Sequence, residues 1–306
     1  MAAMAKRHEF TGREAQHADR RQGIRAAVPI APAVEGMTVV AATQPTFEIE
    51  RIDDYQCWCM HVGGQRLLVD PWLVDDLKAG RDGRLFKRVH QRPVAMRPRD
   101  VRPPDLIILT SALPTHAHGP TLAALDRSVR VVAPPRAVAL ARRLGFRSTI
   151  ALGAGSRIDL DGSLALTGIR PRFPFGTFSV GVLFESLIDG VRVYLEPHLA
   201  PERHPLLDKG VDVLITPVER IRMLGLSLSM DLEAAVVLAK RIRARWVLAT
   251  GTEAGASSGF IPERLWRVES SADAFEAVVR LHIGEGRGRL LVPGERLRIP
   301  PRRRRD

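Results

Sequence analysis

The stretch richest in candidate chemistry runs Asp105-Leu106-Ile107-Ile108-Leu109-Thr110-Ser111-Ala112-Leu113-Pro114-Thr115-His116-Ala117-His118-Gly119-Pro120-Thr121-Leu122. An apolar run that reads as a buried strand gives way to a polar loop carrying His116 and His118, and Thr121 opens a helix. Loops at strand ends are where α/β folds place their sites. Further on, the apolar run Val191 to Leu195 ends in Glu196-Pro197-His198. Imidazole and carboxylate are zinc ligands, taken three or four at a time. A metal-bound water supplies hydroxide near neutral pH, which is the chemistry of hydrolysis. Plainer roles use the same residue types. A His at a loop-to-helix junction caps the helix or bonds a carbonyl, and a Glu before Pro can end a strand beside an Arg.

Other candidates are thin. Gly153-x-Gly155 lacks a third Gly and a following helix, so it is no dinucleotide fingerprint. Gly255-Ala256-Ser257-Ser258-Gly259 has the Gly-x-Ser-x-Gly spacing, but no helix is expected directly after it, so it does not read as a nucleophile elbow. Cys57 and Cys59 are one residue apart, too close for an unstrained disulfide and without the second pair of a zinc site. They read as buried thiols in a strand. His61 and His204 read as structural or exposed, and His90 and His282 have no partner in view.

The elements that must position these residues follow from periodicity. Phe47 to Glu50 alternates as a half-buried strand does. Cys57 to Val62 and Arg66 to Val69 form a hairpin about Gly63-Gly64, ending in Asp70-Pro71-Trp72-Leu73. The Pro-rich, basic stretch to about Pro104 reads as a long surface loop. After the strand at 106–110, helix and strand alternate: a short helix at 121–125, a strand at 129–132, and a helix at 136–144 closed by Gly145. Strands follow at 157–160, 164–168, 181–186 and 191–195, the last two joined at Asp189-Gly190. Then come a strand at 211–215, a helix at 231–243 capped by Ser229 or Asp231, a strand at 246–249, a helix at 272–281 and a strand at 290–292. Hairpins followed by β-α alternation, twice over, suggest two sheets between layers of helix.

This order of elements resembles the metallo-β-lactamase superfamily. Its members follow the corresponding strand with Thr-His-x-His-x-Asp-His, whose His and Asp side chains bind one or two metal ions, and their second strand typically ends in an Asp-Pro pair, as at Asp70-Pro71. Here Thr110 and His116 match, Ser111 and Leu113 stand at two His positions, and Thr115 stands at the Asp. No His lies between residues 119 and 197. Val193 to His198 occupies the place of the strand ending in a bridging Asp, and Thr250-Gly251-Thr252-Glu253 that of the final His. A cyanobacterial and plastid branch is more similar, with Ser/Thr-Gln-x-Leu-x-Asp-His-x-His-x-x-Thr-Leu at this point. This chain also has that branch's Tyr-x-Glu-Pro-His, as Tyr194 to His198, and its Ile-Thr-Pro, as Ile215 to Pro217. Within the branch it departs at Ser111, which replaces the Gln, and at Thr115, which replaces the Asp.

The resemblance covers roughly residues 46–297 and implies an α/β fold, a four-layer αββα sandwich, in a domain at 44–297. It implies that the loops after Thr110 and Leu195 face one cleft, with His116, His118, Glu196 and His198 as the metal-ligand set. Asp70 and Thr115 would stand behind them, Asp70 orienting one His. One zinc, iron or manganese ion would bind, or none. The function implied is a metal-dependent hydrolase with a reduced metal site and an unknown small-molecule substrate. A catalytically silent binding or scaffold member is the alternative, and an RNA-processing relative a second.

Composition bounds these readings. The 306 residues are 45% hydrophobic but only 5% aromatic, so the core must rest on Leu, Val, Ile and Ala. No apolar run reaches the ~20 residues that span a bilayer. The net charge of +12 invites nucleic acid, but half of it lies in residues 1–43 and 295–306, where Phe10 alone could stack on a base. Nucleic acid is therefore not the expected partner. Residues 1–43 read as a disordered or cleaved leader and 298–306 as a basic tail. The branch resemblance and the leader point to a plastid, with the cytoplasm as the alternative.

Overall fold

The computed structural model describes residues 47–98, 103–172, 174–175, 178–253, 256–269 and 272–302. The leader expected at 1–43 lies outside them. The chain begins with β1 (Phe47–Arg51), the hairpin β2 (Trp58–Val62) and β3 (Gln65–Val69), and two short strands, β4 (Leu77–Ala79) and β5 (Phe86–Arg88). Next come β6 (Leu106–Ile108), α1 (Gly119–Ala124), β7 (Arg130–Ala133), α2 (Pro135–Arg143) and β8 (Thr149–Ala151). The second half opens with β9 (Arg157–Leu160), β10 (Leu164–Ile169), β11 (Gly181–Ser186), β12 (Arg192–Leu195) and α3 (Pro205–Asp208). β13 (Val213–Pro217), β14 (Arg220–Met223), β15 (Leu226–Ser227), α4 (Leu232–Arg241) and β16 (Trp246–Thr250) follow. The last elements are β17 (Ser257–Ser258), β18 (Trp266–Glu269), α5 (Phe275–His282), β19 (Gly288–Arg289) and β20 (Arg296–Ile299).

Two seven-stranded sheets carry the architecture, in the orders β20-β1-β2-β3-β6-β7-β8 and β19-β16-β13-β12-β11-β10-β9. The period-2 alternation of side chains sorts each strand between layers. Trp58, Met60 and Val62 of β2, Leu67 and Val69 of β3, and Leu106 and Ile108 of β6 point into one cluster between the sheets. From the facing sheet Val182 and Phe184, Val193 and Leu195, Val213 and Ile215 enter the same cluster. Intervening residues point outward. Cys59, Leu68, Ile107 and Val131 pack with Leu122 of α1 and Ala137, Val138 and Ala141 of α2. Leu183, Tyr194, Leu214 and Val247 pack with Ala235, Leu238 and Ala239 of α4 and Phe275 and Val279 of α5. The result is an α-β-β-α sandwich, with each fully buried aliphatic side chain contributing about 1.5–3 kcal/mol.

Several boundaries differ from expectation. The stretch 72–98 is not a plain surface loop: β4 and β5 pair within it, and Trp72, Leu77, Phe86 and Arg88 are buried. Strands of three residues are too short to show a period, which is why the sequence hides them. The strand expected at 290–292 is displaced to β19 and β20, and β20 runs through Ile299 in antiparallel register with β1. Order therefore passes the expected edge at 297, and Arg302 still pairs with Asp212 at 2.7 Å.

One buried cation ties the two sheets together. Arg51 of β1 donates to the carbonyls of Asp53 (2.7 Å), Tyr55 (2.7 Å) and, across the sandwich, Ala249 of β16 (2.9 Å). Its guanidinium stacks 4.4 Å from the Trp58 ring. Arg51→Met leaves these buried carbonyls short of donors and should cost about 3–5 kcal/mol. Arg157→Met, at an exposed ion pair, should cost under about 1 kcal/mol. Urea denaturation of both variants checks the contrast.

Candidate functional site

The site is built on the end of β3. Asp70 closes that strand with φ of 45°, a left-handed conformation that Asp tolerates better than most residues. Its carboxylate turns toward the loop leaving β6. Oδ1 accepts from the Thr110 amide at 2.7 Å, and Oδ2 accepts from the Thr110 hydroxyl at 2.5 Å and from His116 Nδ1 at 2.8 Å. A carboxylate only accepts, so Nδ1 of His116 carries a proton. Thr115, expected beside Asp70, is half-buried on the same turn and is not among these partners.

The same loop meets the far sheet through a chain of hydroxyls. Ser179 donates to Ser111 Oγ at 2.8 Å and lies 3.2 Å from His198 Nε2. Because the Ser179 proton is used by Ser111, the imidazole donates to Ser179. Ser111 also accepts from the Leu113 amide at 3.2 Å, and the Val180 amide donates to the Thr110 carbonyl at 2.8 Å. Phe175 stacks on His198 with centroids 3.9 Å apart and planes 12° apart. The rings of His116 and His198 lie 4.9 Å apart, nearly perpendicular. Both are deeply buried, with 1% and 6% exposure. Burial, and then the neighbouring His116, hold His198 well below the usual imidazole range, so it is neutral.

The other two expected ligands go elsewhere. Glu196 shares strand parity with Tyr194, which points to the α4 side of its sheet, and the Tyr194 hydroxyl donates to Glu196 Oε2 at 2.6 Å. Oε1 accepts from the His198 amide at 3.1 Å. Gly181 is required above them: a Cβ there would meet the Tyr194 hydroxyl at 2.5 Å and Glu196 Oε2 at 2.9 Å. Burial pushes the Glu196 carboxyl up to about 8, against the pull of Tyr194 and the amides of His198 and Leu199. His118 turns to the opposite side of its loop. Its Nδ1 lies 2.9 Å from the Thr121 hydroxyl, which itself accepts from the Leu73 amide at 2.8 Å, and the ring also bonds the backbone of Asp76. Burial lowers His118 to about 4.

Some histidines have partners that spacing does not reveal. His90 Nδ1 is 3.1 Å from Asp54 Oδ1, and its ring stacks on Trp72 at 3.6 Å. Burial would raise the Asp54 carboxyl, but the His90 bond and the amides of Gln91 and Arg92 outweigh it and hold it below the usual range. His282 lies 3.2 Å from Lys240 Nζ. Cys57 and Cys59 are buried free thiols, pushed up by burial.

The donor chemistry does not match the metal centre that the sequence suggests. His116 and His198 come together, while Glu196 and His118 are committed elsewhere. Among the described residues no group of three His, Cys, Asp or Glu is placed to hold a metal ion. Zinc takes three or four protein ligands.

An αββα sandwich with a polar cleft at the strand ends defines a class of α/β proteins. Residues 52–251 match the Beta-lactamase superfamily domain, and the chain belongs to that family. Similar solved structures include an isothiocyanate hydrolase from Delia radicum gut bacteria, 15% identical, with a TM-score of 0.63, covering 83% of this chain and 99% of that one. A possible metal-dependent hydrolase from Veillonella parvula is 15% identical, with a TM-score of 0.61 over 84% of this chain and 100% of that one. CmlA, a diiron β-hydroxylase from Streptomyces venezuelae, is 16% identical, with a TM-score of 0.58 over 84% of this chain and 55% of that one. At these identities the likeness is one of fold. No curated protein matches the sequence.

The Glu196 environment has a measurable signature. The folded carboxyl holds its proton up to about 8, whereas the unfolded one ionises near an ordinary value of about 4.3. The folded state thus binds more protons in that window. The resulting stability is fully present below the unfolded value and is lost as pH rises toward the folded one. From about pH 6.5 to 8 the free energy of unfolding should fall by up to about 1.4 kcal/mol per pH unit. Glu196→Gln keeps an acceptor for Tyr194 and should flatten that slope in urea titrations. An unchanged slope would remove Glu196 as its source.

Proposed function

We propose that this member of the β-lactamase superfamily is a binding or scaffold protein whose cleft carries no catalytic metal. One observation carries the reading: the Ser111–Ser179–His198 hydrogen-bond chain, with Phe175 stacked on His198, occupies the place where the loops after β6 and β12 meet. Ser111 Oγ, Ser179 Oγ and His198 Nε2 are each hydrogen-bonded within the protein, and the side chains are buried. Asp70 serves this arrangement by fixing His116 rather than by tuning a metal ligand. Fold analogy with hydrolases does not supply an activity that the side chains do not support.

Metal content by mass spectrometry tests the proposal, on protein purified without a metal-affinity column and then reconstituted with zinc, iron and manganese in turn. The expected result is far less than one equivalent of any of them. A full equivalent retained by wild type and lost in both His116→Ala and His198→Ala would overturn it. That result would restore the reading of a metal-dependent hydrolase with a reduced site.

A further inference from the structure

A pocket of about 950 Å³ lies on the other face of the loop that carries His116. Its floor is His118, and its walls come from the loop (Ala112, Pro114, Ala117), from Pro120 of α1 and from α2. Along α2, residues 136, 139, 140 and 143 share one face by helical spacing. That face sets Ala139 and Leu140 between two arginines, and all four line the pocket. Volumes of this order are those of small-molecule sites, which combine apolar walls with a few polar groups.

The charges around it are unevenly matched. Asp76 is shared between Lys78 (3.3 Å) and Lys87 (3.5 Å). Arg136 and Arg143 are exposed, and among the described residues neither has an acidic partner. The lining therefore holds Lys78, Arg136 and Arg143 against Asp75 and Asp76, an excess of one positive charge. Guanidinium groups present planar forks that match carboxylate and sulfonate oxygens.

We propose that this pocket binds a small organic monoanion, its apolar body lying against Leu140 and Ala139 and its anionic group held by Arg136 and Arg143. The ligand class excludes cations, which would meet the excess positive charge, and bare inorganic anions, which would leave the apolar walls uncovered. The site lies outside the Ser–His chain and stands whether or not the cleft holds a metal, so the metal analysis and the binding test below fail separately.

The probe is 1-anilinonaphthalene-8-sulfonate, a monoanion with an apolar body, followed by its fluorescence on titration into the folded 306-residue chain. Saturable binding should weaken at least about tenfold, about 1.4 kcal/mol, in the double variant Arg136→Glu/Arg143→Glu. It should weaken comparably in Ala139→Trp, which fills the pocket without changing charge. Arg147→Glu, an exposed charge outside the lining, should leave it unchanged. Octanoate should displace the probe and octylammonium should not. Circular dichroism melts of each variant establish that it is folded. The proposal is overturned by absence of saturable binding to wild type, by binding that survives either the double charge reversal or Ala139→Trp, or by displacement by octylammonium as effective as by octanoate.

Discussion

The carboxylate of Asp70 is the interaction on which the candidate site depends. It closes β3, reaches across to the amide and hydroxyl of Thr110, and fixes the imidazole of His116. With 2% exposure it is a buried charge, and such a charge is tolerated only when its lone pairs are met by donors. Three donors converge on it within hydrogen-bond distance. The geometry that results is a rigid turn, from which Ser111 and His116 face one side and Ala112, Pro114, Ala117 and His118 face the other. The turn thus divides two environments, a hydrogen-bonded interior and an open basic pocket.

What the sequence made legible was the part governed by period. Alternation in β2, β3, β11, β12 and β13 is strict, and each of those strands lies where its apolar parity sends it. The same rule decides Glu196. It is two residues beyond Tyr194, so it follows Tyr194 to the outer layer, and a resemblance of motif alone assigned it to the cleft instead. His118 was misleading for a related reason. Two residues from His116 on a turn is not two residues on a strand, and the turn sends it to Thr121. The His90–Asp54 bond, between residues 36 apart, has no local signature. Nor do β4 and β5, whose pairing is held by long-range packing of Leu77 and Phe86 beside Trp72 and Tyr55.

The side chains around this turn are mutually consistent. The Ser111 hydroxyl accepts from the Leu113 amide and from Ser179, which bridges it to His198. The meeting point of the two loops is closed by groups that hydrogen-bond one another. Such a network favours a single arrangement, because each member left unpaired would cost about 1–3 kcal/mol. The neutral state of His198 belongs to the same logic, since a charge on that buried ring would be poorly solvated.

The pairing of β1 with β20 bears on how the chain reaches this state. Glu48 and Arg298, bonded across that edge, are 250 residues apart in sequence. At translation rates of about 5–20 residues per second, β1 waits roughly 12–50 s after its own synthesis before its partner exists. Throughout that interval one side of β1 offers unsatisfied amides and carbonyls to any extended peptide nearby. Its alternating residues Glu48 and Glu50 pair with Arg296 and Arg298 in the finished sheet. Before β20 is made those two carboxylates lack these partners, and charged side chains along an open edge disfavour pairing between strands of different copies.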